Sequence, residues 1–262
     1  MLRFSVLASS SQGNATVVST GRVSVLVDAG ISCLRLRNSL QDCGIPAPQI
    51  SGVFITHEHV DHVCGLGQFC KKYAPRVYCS RYLSLDIRQM APDAACTFLE
   101  PGATVELEDL RVTPFSVSHD AADPLGYLFE CGGAKLGYVT DTGRIMRGMD
   151  EMLAGVDALY LESNYDEEML QNSGRPKRLI ERITCPSGHL SNVQACEFVR
   201  TVAHPGLRHL VLAHISPECN TPEIAHAAMQ ATLLSHSDGG VPNILIEMSD
   251  RTEESLGELI YF

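Results

Sequence analysis

The sequence predicts an α/β protein with two β-sheets covered on the outside by helices. Strand and helix patterns are mixed through both halves of the chain, which suits that layered arrangement. No low-complexity linker, short-period repeat or shift in composition divides the 262 residues, so one domain spanning 1–262 is the simplest account. Hydrophobic residues make up 45% and charged residues 19%, the balance of a globular chain that buries its own core.

Phe4–Leu7, Ala15–Ser19 and Val23–Val27 are short, β-branched, apolar runs and read as strands, with a Ser/Gly/Asn break between the first two. Asp28-Ala29-Gly30 follows the third. Cys33, Leu36, Leu40 and Cys43 then recur at helical spacing, and Gly44 closes that helix. Val53–Thr56 reads as a strand, with a helix after it reaching about Lys72. Arg76–Ser80 is a strand and Leu83–Met90 a helix. Thr104–Val139 is strand-rich, with Gly132-Gly133 as a hairpin turn. Ala158–Leu161, Leu210–Ala213 and Asn243–Met248 read as further strands. Val193–Ala203 and Glu223–Leu234 read as helices, and the acidic tail from Ser249 takes no assignment.

The formal net charge of -11 excludes a general basic coat for nucleic acid. It leaves a nucleic-acid substrate open, because metal ions in a cleft reverse the local field. The ten cysteines are scattered, with no CxxC pair, and most sit in apolar contexts where free Cys acts as a small hydrophobe. The N-terminal residues lack the apolar core of a signal peptide, and no apolar run is long enough for a bilayer. A reducing cytoplasm, without membrane contact, is the expected setting.

The strongest chemical signal is His57-Glu58-His59-Val60-Asp61-His62, an H-x-H-x-D-H run just after a strand. Zinc and similar divalent ions take imidazole and carboxylate ligands. His57 and His59 alternate by two and project together from extended backbone, while Asp61 and His62 turn to a neighbouring position. One loop could thus serve two adjacent ions. A polar surface loop has no reason to gather three imidazoles and a carboxylate so tightly. Taken alone, His119 or His214 reads as a strand-end histidine, and Asp141 before Thr-Gly as a turn or helix cap. His204, His209, His226 and His236 lack a comparable context.

The HEHVDH run resembles the signature of the metallo-β-lactamase superfamily. That resemblance implies a four-layer αββα sandwich with metals at one edge of the two sheets. It also implies a later His, a bridging Asp and a last His on successive strand ends. His119 follows Val112–Val117, Asp141 follows Leu136–Thr140, and His214 follows Leu210–Ala213. By resemblance, His57, His59 and His119 hold one ion, Asp61, His62 and His214 the other, and Asp141 bridges them. Asp28 matches an early aspartate that braces the ligand loop from behind. The expected cofactors are two divalent ions per chain, zinc or manganese, with iron also compatible.

Glu162-Ser163-Asn164, Ser187-Gly188-His189-Leu190-Ser191-Asn192 and the HISPECN run at 214–220 narrow the choice. With SSSQGN at 9–14, SHDAADPLGY and RPKRLIERI, they resemble the YycJ/WalJ-type family from Ser9 to about Glu223. That group is bacterial and nuclease-like, and some members are similar to 5′-to-3′ DNA exonucleases. The long β-CASP insertion of larger relatives, such as the ribonuclease J group, is absent. Tyr165 stands where His is common in the family, which could weaken a substrate contact, and Cys219 where Asn is common.

The resemblance implies phosphodiester hydrolysis by a metal-bound hydroxide, with DNA favoured over RNA. Asp61 or Asp141 could orient the water or accept its proton, and His189 could hold the scissile phosphate or aid the leaving oxygen. Glu162 stands behind that site. Ser191-x-x-Gln194 has capping-box form, which puts His189, Ser191 and Asn192 at a helix N-terminus suited to phosphate. Asn164 and the loop residues Ser9, Ser11 and Asn14 are candidate substrate contacts, and the last three are equally turn residues. On a helix, Arg175, Arg178 and Arg182 would share one face that tracks a backbone, or an ordinary solvated face. Two other readings stay open: a small-molecule hydrolase of the same fold, acting on a small phosphodiester, thioester or lactam, and a metal-binding regulatory protein without chemistry. Oligomeric state is not legible.

Overall fold

The computed structural model describes residues 1–236, 245–248 and 260–262. The strands of the first half are β1 (Arg3–Ala8), β2 (Ala15–Ser19), β3 (Ser24–Val27), β4 (Ile50–Phe54), β5 (Arg76–Ser80) and β6 (Cys96–Leu99). Helices α1 (Cys33–Asp42), α2 (Val60–Val63), α3 (Leu66–Tyr73) and α4 (Ser84–Met90) lie among them. The second half contributes β7 (Val105–Leu107), β8 (Leu110–Ser116), β9 (Leu125–Cys131), β10 (Ala134–Val139), β11 (Ala158–Glu162) and β12 (His209–Ala213). Its helices are α5 (Met149–Met152), α6 (Glu167–Asn172), α7 (Lys177–Thr184), α8 (Asn192–Val202) and α9 (Pro222–His236). Two short strands complete the described chain, β13 (Leu245–Met248) and β14 (Ile260–Tyr261).

The strands form two sheets of seven, in the orders β14-β1-β2-β3-β4-β5-β6 and β13-β12-β11-β10-β9-β8-β7. Each sheet changes from antiparallel to parallel pairing at one strand. In the first it is β3, antiparallel to β2 and parallel to β4. In the second it is β10, antiparallel to β9 and parallel to β11. The carboxyl ends of such switch strands are where open sheets leave a crevice for ligands.

The two sheets face each other across a core that contains Phe4, Val25, Phe54, Tyr127, Tyr138, Tyr160 and Val211. Aromatic rings fill its centre: Phe54 stacks on Tyr78 with centroids 4.5 Å apart, and Tyr138 on Tyr160 at 4.1 Å. Strand alternation sends the neighbouring side chains outward. Val53 therefore meets Leu36, Leu40 and Phe69 on one outer face. Leu159 meets Leu153, Phe198 and Met229 on the other. Helix, sheet, sheet, helix is the result, as expected.

Local signals explain the boundaries. Ser32 caps α1 by accepting from Arg35 N, and Gly44 after it has φ +69. Gly132 and Gly133 both take positive φ in the two-residue turn between β9 and β10. The single helix expected up to about Lys72 is two, α2 and α3, separated by Cys64-Gly65. α7 begins at Lys177, so Arg175 precedes the helix instead of sharing a face with Arg178 and Arg182. Of the strand expected over 243–248, residues 245–248 form β13 and 243–244 lie outside the described residues. Residues 249–259 also lie outside them, and the end of the chain pairs with β1 as β14. Among the described residues, no helix is long and apolar enough to cross a membrane.

Candidate metal centre and its cleft

The carboxyl ends of β3, β4, β8, β10, β11 and β12 carry Asp28, His57–His62, His119, Asp141, Glu162 and His214. Asp28 and Asp141 follow the two switch strands, and both have positive φ, +61 and +44. His214 shares that backbone conformation at +53. Non-glycine residues adopt it at a cost that surrounding structure must offset, and such strain clusters at functional sites.

Donor geometry identifies the unprotonated nitrogen on two rings. The single proton of the Thr56 hydroxyl goes to Asp28 Oδ2 at 2.8 Å, because a carboxylate only accepts. Thr56 Oγ1, its proton spent on Asp28, then accepts from His57 Nδ1 at 3.0 Å. His57 Nε2 is left as a bare lone pair, buried and without a partner. His119 Nδ1 donates to the Gly188 carbonyl at 3.0 Å, which likewise leaves Nε2 as the acceptor nitrogen. Burial pushes His57 well below its usual range and lowers His119 too, so both favour the neutral form that binds metal.

Ligand atoms of His57, His59 and His119 lie within 4.8 Å of one another, as do those of Asp61, His62 and His214. Asp141 sits between the groups. Its Oδ2 is 3.1 Å from His62 Nε2 and its Oδ1 is 3.3 Å from His214 Nε2. Burial works against the Asp141 charge, but His214 and His62 outweigh it and hold the carboxyl well below its usual range. An unpartnered buried nitrogen, a shared carboxylate and imidazoles fixed from behind suit divalent cations.

Several predicted residues brace this centre. Asp28 accepts from His62 Nδ1 at 2.7 Å. Asn14 is buried and directs Nδ2 to within 3.0 Å of His62 Nε2 and 3.2 Å of Asp61 Oδ2. Ser9 is buried too, and its Oγ accepts from the His214 backbone N–H at 2.9 Å and meets Tyr160 Oη at 2.8 Å. Both residues hold candidate metal-binding groups in place, a bracing position in contrast to the substrate contact expected of them. Gly30 lets the ligand loop approach closely, since a Cβ there would lie 1.6 Å from the Asp61 carbonyl oxygen.

His189 faces the centre from the other side. Its Nδ1 is 2.6 Å from Glu162 Oε1, and its ring stacks on His214 with centroids 5.3 Å apart. Burial opposes a proton on His189, but Glu162 outweighs it and the imidazole is pushed up to about 9. The second Glu162 oxygen accepts from Thr142 N and Leu190 N. The expected capping box is formed by Ser191 and Gln194. Yet Ser191 and Asn192 are buried, and Asn192 is committed to Ser163 and Asn220. The start of α8 therefore closes on protein groups instead of offering a phosphate seat.

A cleft of about 180 Å³ opens on His189 and His214, lined by Ser11, Asn164, Arg175 and Arg182 among others. Asn164 donates to the His214 carbonyl at 2.7 Å, so it also fixes that ligand. Arg178 is exposed and does not line the cleft. Tyr165 packs with Leu170 and Cys219 in a small buried cluster, so the two departures from the family pattern meet each other and neither reaches the cleft. The expectation of a weakened substrate contact at Tyr165 is thereby corrected. Sequence reading missed Thr56, Asn220 and Asp120, although Thr56 and Asp120 adjoin His57 and His119 directly.

A fold and centre of this kind define a metal-dependent hydrolase. The chain belongs to the β-lactamase superfamily, whose domain matches residues 24–215, and within it to the YycJ/WalJ family. It is 34% identical over 235 residues to exodeoxyribonuclease YycJ of Bacillus anthracis, covering 88% of this chain and 89% of that one. It is 32% identical over 251 residues to exodeoxyribonuclease WalJ of Streptococcus pneumoniae serotype 2, covering 91% and 90%. The metallo-β-lactamase fold protein YhfI from Bacillus subtilis superposes with a TM-score of 0.76 over all of both chains, at 13% identity.

Proposed function

We propose that the protein is a two-metal phosphodiesterase that shortens DNA from a 5′ end, with residues 1–262 as one catalytic domain. The observation that carries the reading is the Asp141 carboxylate, set between the His57/His59/His119 group and the Asp61/His62/His214 group. In this reading the first group would hold one ion, the second another, and Asp141 would serve both. Such ions neutralise non-bridging phosphate oxygens and lower the pKa of water. The exodeoxyribonuclease names of the relatives support nucleic acid as substrate.

The chain's own groups do the rest. Asp61, whose side chain is 25% exposed, takes the proton of the attacking water. Glu162 occupies His189 Nδ1, so His189 Nε2 is the nitrogen that donates to the scissile phosphate or its leaving oxygen. Arg175 and Arg182 hold the flanking backbone. The second reading is a small phosphodiester substrate in the same cleft. End-labelled DNA and RNA, incubated with Mn2+ or Zn2+, separate the two. Cleavage of DNA supports the nuclease, and turnover of a small ester with every polymer intact contradicts it.

A further inference from the structure

We propose that Asp120 and Glu218 are resident counter-ions of the cleft, held by the two arginines where successive substrate phosphates bind. The inference rests on the nuclease reading above. Arg182, on the last turn of α7, donates from Nε to Asp120 Oδ2 at 2.7 Å. Arg175, just before α7, donates from its guanidinium to Glu218 Oε2 at 2.9 Å. Asp120 directly follows His119, and Glu218 lies on the loop that leaves His214. The two pairs therefore tie the α7 segment to the two sides of the His189 and His214 floor.

Apolar anchoring of that segment is slight. α7 has no buried residue, and Ile180 and Ile183 pack on the small cluster of Tyr165, Leu170 and Cys219. Carboxylate and phosphate compete for the same planar guanidinium fork. While the carboxylates occupy it, neither arginine fork is free for a phosphate. The Glu218 side chain is 70% exposed, so its hold on Arg175 is weak and readily exchanged. A small phosphate ester brings one phosphate and releases one carboxylate. A strand brings neighbouring phosphates and releases both, the second exchange being intramolecular once the first has occurred. The paired acids thus oppose strand binding more than small-ester binding, and removing one should help the strand more.

Steady-state kinetics of the metal-loaded protein test this, on end-labelled single-stranded DNA and on bis(p-nitrophenyl) phosphate. Glu218→Gln is expected to lower KM for DNA roughly two- to fivefold at low salt. The gain shrinks as salt rises, and KM for the small diester moves less. Arg175→Gln raises KM for DNA, and adding Glu218→Gln to it changes nothing further. A Glu218→Gln enzyme that cuts DNA with an unchanged or higher KM overturns the proposal, as does an equal gain in the absence of Arg175. If the wild type cuts only the small diester, the nuclease reading falls and takes the proposal with it.

Discussion

Asp28 Oδ2 lies 2.7 Å from His62 Nδ1, and both side chains are fully excluded from solvent. The same carboxylate accepts from Thr56 N and Thr56 Oγ1, each at 2.8 Å. One acid thus orients His62 directly and His57 through Thr56. Asp28→Asn should retain the fold and weaken metal binding roughly 10- to 100-fold. Isothermal titration of metal into the demetallated protein checks this, and unchanged affinity would show that Asp28 does not orient the ligands.

Asp141 connects the two proposed ion positions. Asp141→Ala should bring hydrolysis to background while leaving the circular-dichroism spectrum of the wild type. Bound metal per chain should fall in the same preparation. Full activity in this variant would contradict a bridging role.

His189 lies in ligand range of Asp141 and His214, but Glu162 occupies its Nδ1 and keeps that nitrogen off the proposed ions. His189→Gln should therefore retain metal and lose about 10²- to 10⁴-fold in kcat, the range of a lost proton donor. A larger effect on metal content than on kcat would reassign His189 to the ligand set.

Gly30 has no room for a side chain. A Cβ would stand 1.6 Å from Asp61 O and 2.7 Å from Asn14 N. Gly30→Ala should push α2 away, destabilise the protein by on the order of 1–3 kcal/mol, and release metal. Thermal denaturation with and without added Zn2+ reads both effects. A wild-type melting curve would show that the loop yields freely.

The layered fold was legible because strand alternation and helical spacing recur in both halves. The cluster of metal-capable side chains was legible because His57, His59, Asp61 and His62 fall within six residues. The separated candidates His119, Asp141 and His214 needed the family resemblance, since a strand-end His or Asp by itself is ambiguous. Substrate contacts were the weakest reading. Ser9, Asn14, Ser191 and Asn192 are polar residues near a site, and sequence does not reveal that all four are buried among protein partners. Nor does it reveal salt bridges such as Arg182–Asp120, whose members lie 62 positions apart. The paired packing of Tyr165 and Cys219 was hidden for the same reason.

The most direct test of a two-metal nuclease is a titration of metal-free protein with Mn2+ or Zn2+. Bound ions and release of the 5′-terminal nucleotide from end-labelled DNA are followed together. Hydrolysis is predicted to appear only as the second ion binds. Full activity with one ion per chain, or two bound ions with no DNA cut, would contradict the two-metal mechanism or the nuclease activity respectively.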